Sequence, residues 1–209
     1  MFLRQCGDRN GDRKGSVSMQ AERFYKNMID QVKELQLKLG YAKETVRLYY
    51  PASSLNALLG TTFAEDAAGG RALLEAVRQI LKETEKERPG LAGTAISLRG
   101  DRFELTIPPE GAEYIHQKEK YSPFLQELVT LFQTNHHSTL EEICAVFERA
   151  SSNGYVCEKM PEEMDFDYVI YFKDALVDEY FYCVKMEMGH TIYHRFMRED
   201  YNRSISYAK

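Results

Sequence analysis

Two histidines four residues apart, His190 and His194, lie in a run of aromatic and β-branched residues late in the 209-residue chain. On a strand, as on a helix, positions i and i+4 share a face, so both imidazoles project the same way. The break before them, Glu187-Met188-Gly189, fits a three-residue hairpin loop with glycine in the left-handed position. That register opposes Met186 to His190, Tyr182 to His194 and Tyr180 to Phe196. Tyr180, Tyr182, His190 and His194 then form one ligand-binding face, where imidazole and phenol can hold a small molecule or polarise a substrate.

A two-residue loop, Met188-Gly189, builds a different site. Glu187 then opposes His190 and Cys183 opposes His194, a thiol–imidazole pair beside a carboxylate, as a nucleophile needs. Glycine placement and the cleaner apolar face favour the three-residue loop. The bland alternative to either site is a core in which these histidines simply hydrogen-bond to tyrosine or backbone. No third metal ligand stands at a standard spacing, so no metal is assigned. The glycine-rich phosphate loops, G-x-S-x-G and H-E-x-x-H are all absent, so no cofactor is implied and the catalytic residues stay unknown.

Other charged stretches carry less. The acidic set Glu162, Glu163, Asp165, Asp167, Asp174, Asp178 and Glu179 matches no calcium loop and reads as solvated strand edges. Lys43 to Tyr50, KETVRLYY, has a faint likeness to the recognition helix of MerR-type regulators, with Lys43 and Arg47 on one helical face; no regulator wing follows it. Arg99-Gly100-Asp101 is a hairpin turn rather than an adhesion motif. The net charge of −5 argues against nonspecific nucleic-acid binding, though it leaves room for a local basic patch.

The elements that must position these residues follow from hydrophobic period. Apolar positions predict helices over 19–39 and 72–88, a short one over 51–59, and others over 111–118, 123–134 and 139–150. Gly100-Asp101 predicts a hairpin over 94–107, pairing Leu98 with Phe103, Ile96 with Leu105 and Thr94 with Ile107. Strands at 155–158, 168–172, 180–186 and 190–196 end the chain, before a closing helix at 198–206. The fold class is α+β: several helices packed against a C-terminal antiparallel β-sheet, with a separate β-hairpin near 94–107 that either joins that sheet or forms its own.

Residues 1–18 are polar, glycine-rich and aperiodic, and are expected to be a disordered tail, with translation starting naturally at Met19. Residues 19–209 are expected to form a single domain whose weakest seam lies near 119–122. No apolar run is long enough to span a bilayer, no secretion signal opens the chain, and the four cysteines lack a disulfide spacing, so the expected location is the cytoplasm.

Two segments, ISLRGDRFELTIPPEGAEYIH at 96–116 and FDYVIYFKDALVDEYFYCVKMEMGHTIYHRF at 166–196, resemble a bacterial domain-of-unknown-function family (number 3877) from gut Firmicutes; TVRLYYPASSLNALLG at 45–60 extends the likeness. The resemblance implies a bacterial, cytoplasmic origin and no activity or site residue. The functional expectation is therefore a binding or accessory protein that recognises a small molecule or a protein through the Tyr/His face. The alternatives are an enzyme using His190 and His194 and, third, a DNA-binding regulator.

Overall fold

The computed structural model describes the backbone of residues 11–18 and the complete residues 19–100, 102–175, 178–198, 200 and 201. The chain falls into two compact units, one comprising the chain to Val32 with Lys43–Lys118, the other Lys33–Ala42 with Glu119–Lys209. Among the described residues no helix is long and apolar enough to cross a membrane. The protein is α+β, with a three-stranded and a four-stranded antiparallel sheet.

The long helix α1 (Gly11–Leu39) contributes to both units. Its start lies within the stretch expected to be a tail, of which residues 1–10 fall outside the described ones. In the first unit, Phe24, Met28 and Val32 recur at four-residue steps and are buried. Strand β1 (Val46–Pro51) leads into α2 (Ala52–Leu59), and Asn56 clamps the following loop by bonding the backbone of Phe63 through both ends of its amide. Helix α3 (Ala67–Glu87) begins five residues before the expected start. The reason is local: Asp66 caps it by accepting from the N–H groups of Ala68 and Gly69. Gly69 is required there, because a Cβ would sit 2.0 Å from the Ala64 carbonyl oxygen.

Strands β2 (Ala95–Arg99) and β3 (Arg102–Ile107) form the expected hairpin, with Ile96 opposite Leu105 and Leu98 opposite Phe103. Thr94 stays outside the strand. The hairpin does not join the C-terminal sheet; β1 pairs with β3, giving the order β1-β3-β2. This corrects the helical reading of Lys43 and Arg47. Val46, Leu48 and Tyr50 are β-branched or apolar residues at period two, paired with Ile107, Leu105 and Phe103, so β1 is a strand and Arg47 alternates to its other face. Helix α4 (Pro109–Lys118) closes the unit.

The second unit packs α5 (Pro123–Thr134) and α6 (Leu140–Ala150) on a sheet of β4 (Tyr155–Lys159), β5 (Tyr168–Phe172), β6 (Tyr180–Glu187) and β7 (His190–Met197), in that spatial order. Ser122 caps α5, and Thr139 with Glu142 forms a reciprocal capping box on α6. The core is aromatic. The Phe124 ring meets Phe147 and Phe172 edge-on at 4.8 Å and Tyr182 at 5.5 Å. Such pairs add roughly 0.5–1.5 kcal/mol each beyond their buried area. Arg198, Asp200 and Tyr201 begin the expected closing helix; its remainder lies outside the described residues.

Candidate functional site

The β6–β7 hairpin turns through two residues, not three. Met188 and Gly189 both have positive φ, 50° and 79°, which makes the tight turn whose twist matches that of the flanking strands. Glu187 therefore pairs with His190, Cys183 with His194, Tyr182 with Arg195 and Tyr180 with Met197. The expected register placed left-handed backbone on glycine alone. Here Met188 adopts it too, at a cost of roughly 1–2 kcal/mol for a residue with a Cβ. The neighbouring loop helps hold the turn: His136 O accepts from Thr191 N at 2.8 Å, the Thr191 hydroxyl donates to Ser138 O, and His137 Nδ1 meets the Gly189 carbonyl.

A shift of one residue flips every side chain of one strand relative to its neighbour. The expected Tyr/His face is thereby split. Tyr180 and Tyr182 share one side of the hairpin with Tyr193, Arg195 and Met197; His190 and His194 share the other with Phe181, Cys183, Ile192 and Phe196.

The tyrosine side is a closed polar network within the aromatic core. Tyr180 and Tyr182 are 3% and 1% exposed. The Arg195 guanidinium lies 4.1 Å over the Tyr180 ring and 2.7 Å from the Glu34 carboxylate, its side chain 4% exposed. Glu34 also accepts from the Tyr193 hydroxyl at 2.9 Å and pairs with Lys38 at 2.8 Å. Tyr182 donates to Asp178 Oδ2 at 3.0 Å, and Asp178 Oδ1 caps the start of β6 by accepting from Tyr180 N.

The electrostatics follow from this packing. Burial pushes the Glu34 carboxyl up, but Arg195, Lys38 and the hydrogen bonds from Lys38 and Tyr193 outweigh it, leaving it below the ordinary range. Burial, then the Glu34 carboxylate, raises the Tyr193 phenol; burial and Asp178 do the same to Tyr182. Burial lowers the Arg195 guanidinium, and Tyr182, Glu34, Tyr180 and Asp178 more than restore it. The Tyr182 and Tyr193 hydroxyls and the Arg195 guanidinium each meet a carboxylate of the protein. The network holds β7 to the end of α1, and no solvent-borne molecule reaches its tyrosines as they stand.

Sequence reasoning missed Glu34, Lys38 and Arg195, and read Asp178 as a solvated edge. The available signals were the i, i+4 spacing of Glu34 and Lys38 on α1 and the inward alternation of Arg195 once the two-residue turn is adopted.

The histidine side is open along β7, while Phe181 and Cys183 on the same side of β6 are buried. His190 and His194 are exposed, and Ile192 between them is 51% exposed. The His190 ring stacks on His137 at 5.4 Å, while His194 lies 5.5 Å from the Phe166 ring and 6.4 Å from Phe196. Four residues along a strand span about 13 Å, so the two imidazoles do not converge on one ion. Among the described residues no three His, Cys, Asp or Glu side chains are grouped to hold a metal.

Cys183 does oppose His194, but it points into a small core with Met160, Val169 and Phe181 and is 1% exposed. Burial pushes its thiol up to about 12, so it stays protonated and is not a nucleophile at neutral pH. Asp167 is no idle edge either: its backbone accepts from Met160 N, and its Oδ2 accepts from Met186 N at 2.6 Å.

Residues 21–205 match the domain of unknown function DUF3877, described from an E. rectale gene. The chain belongs to the DUF3877 family. No curated protein and no solved structure matches it. The match takes in the whole of this DUF3877 chain's buried Glu34–Arg195 network and its open His190–His194 face.

Proposed function

We propose that this DUF3877 protein is a non-enzymatic binding or accessory protein that engages a protein partner through the open side of β7. The observation that carries this reading is Ile192, half-exposed at the centre of a strand face between exposed His190 and His194. Phe166 and Phe196 back that face with aromatic surface, and amphipathic rings around an apolar centre suit a protein contact. Of the four residues first assigned to a ligand, the two histidines remain in this role. A small-molecule reading draws less support, since Tyr180 and Tyr182 are sealed in the core, and an enzymatic one less again, since the thiol beside His194 is buried. Free Cys144, Cys157 and Cys183 support a reducing, cytoplasmic location.

Site-specific photocrosslinking in the native host tests the reading. A photoreactive residue at position 192 is expected to yield a discrete protein adduct that a second change, His194→Asp, abolishes. The same residue at Leu39, 81% exposed, is the control. Matching adducts from both positions, or none at 192, overturn the proposal.

A further inference from the structure

The outer face of the three-stranded sheet in the first unit carries a basic and aromatic patch on a chain that is acidic as a whole. The register defines it. With Leu48, Tyr50, Ile96, Phe103, Leu105 and Ile107 turned into the core, the alternate positions face out: Arg47 and Tyr49 on β1, Arg102 and Glu104 on β3, Ser97 and Arg99 on β2. Tyr49 is 53% exposed, and Arg47 and Arg102 are exposed. Glu104, the one acid of the face among the described residues, is 5% exposed and is answered by Arg99 at 3.3 Å. Among the described residues of the face, three arginines against one glutamate leave two positive charges in excess.

From this face we infer a binding surface for single-stranded nucleic acid. Tyr49 presents a flat ring in the middle row of the sheet. Arg47 stands two residues away on the same strand, about 7 Å along it, and Arg102 one row beyond on the neighbouring strand. Stacking of a base on an open aromatic ring, with cations beside it for the backbone phosphates, is the chemistry of sequence-tolerant single-strand recognition. An acidic peptide would use the arginines and gain little from the ring. The surface belongs to a different unit from the β7 face and stands independently of the partner proposed there.

The test is fluorescence anisotropy of the full chain with a short labelled oligothymidylate. Neutralising two phosphates predicts a logarithmic salt slope of about −1.4, so affinity falls about sevenfold between about 50 and 200 mM salt. Tyr49→Ala is expected to weaken binding ~5- to 150-fold, and Tyr49→Phe to keep it. Arg47→Ala and Arg102→Ala should each lower the slope by about 0.7. All four substitutions are on exposed side chains, and circular dichroism verifies the fold. Absence of binding at low salt, or a Tyr49→Ala variant that binds like the parent, overturns the inference. So does an acidic peptide that competes as well as the oligonucleotide, which would make this a peptide site.

Discussion

Replacing Arg195 with alanine is the sharpest probe of the buried network. The change leaves Glu34, whose side chain is 12% exposed, with Lys38 and the Tyr193 hydroxyl but without its closest cation. Removing one partner of a buried pair typically costs about 3–5 kcal/mol, because the remaining charge stays desolvated. Lys38 is 37% exposed and compensates weakly, so the expected loss is about 3 kcal/mol. Urea unfolding followed by near-ultraviolet tyrosine dichroism reads it directly, since the chain has no tryptophan to mask the signal.

The pH profile supplies a second readout. The folded Glu34 carboxyl lies below its ordinary value of 4.5, so its contribution is present above that pH and is lost as pH falls through the folded value. Without Arg195, burial is less opposed, the carboxyl rises, and acid destabilisation should set in at higher pH. Replacing the pair together, Arg195→Met with Glu34→Met, should cost less than Arg195→Ala alone. A loss below about 1 kcal/mol for Arg195→Ala, with an unmoved acid limb, would refute the claim that this ion pair is desolvated and structural.

Two further outcomes follow from the hairpin. Met188→Asn, which suits the left-handed first position of the two-residue turn, should stabilise the second unit by about 1 kcal/mol in the same urea assay; no gain would mean the turn strain is absent. Cys183 should resist a thiol reagent under native conditions and react on unfolding, and raising the pH from the thiol's ordinary 9.0 toward about 12 should progressively destabilise the fold. Rapid labelling of Cys183 at neutral pH would contradict its burial.

Much of the fold was legible because local chemistry and hydrophobic period agree. The β2–β3 hairpin follows from Gly100 and its flanking alternation, and α6 from Thr139 and Glu142 around an apolar stripe. The start of α3 escaped because 67–70 is small and glycine-bearing; Asp66 and the close approach of Gly69 to Ala64 decide it. The candidate site was misassembled for one reason. The sequence favours the three-residue turn over the two-residue Met188-Gly189 turn because it puts left-handed backbone on glycine alone, and that one residue of register separates the tyrosines from the histidines. Glu34 and Arg195 were illegible for another. Each charge alone reads as solvent-facing, and only tertiary packing brings α1 against β7.

The second unit is discontinuous in sequence, with 33–42 supplied from between the two segments of the first unit and the rest from after it. The hydrogen bond from Tyr193 to Glu34 spans 159 residues. On a ribosome adding about 5–20 residues per second, Glu34 waits roughly 10–30 s before its partners are made. During that interval its helix turn emerges without the strand that will neutralise it. Completion of this unit is therefore a late step of synthesis, and a fragment beginning at Glu119 would carry Arg195 into the core with no carboxylate from Glu34 to meet it.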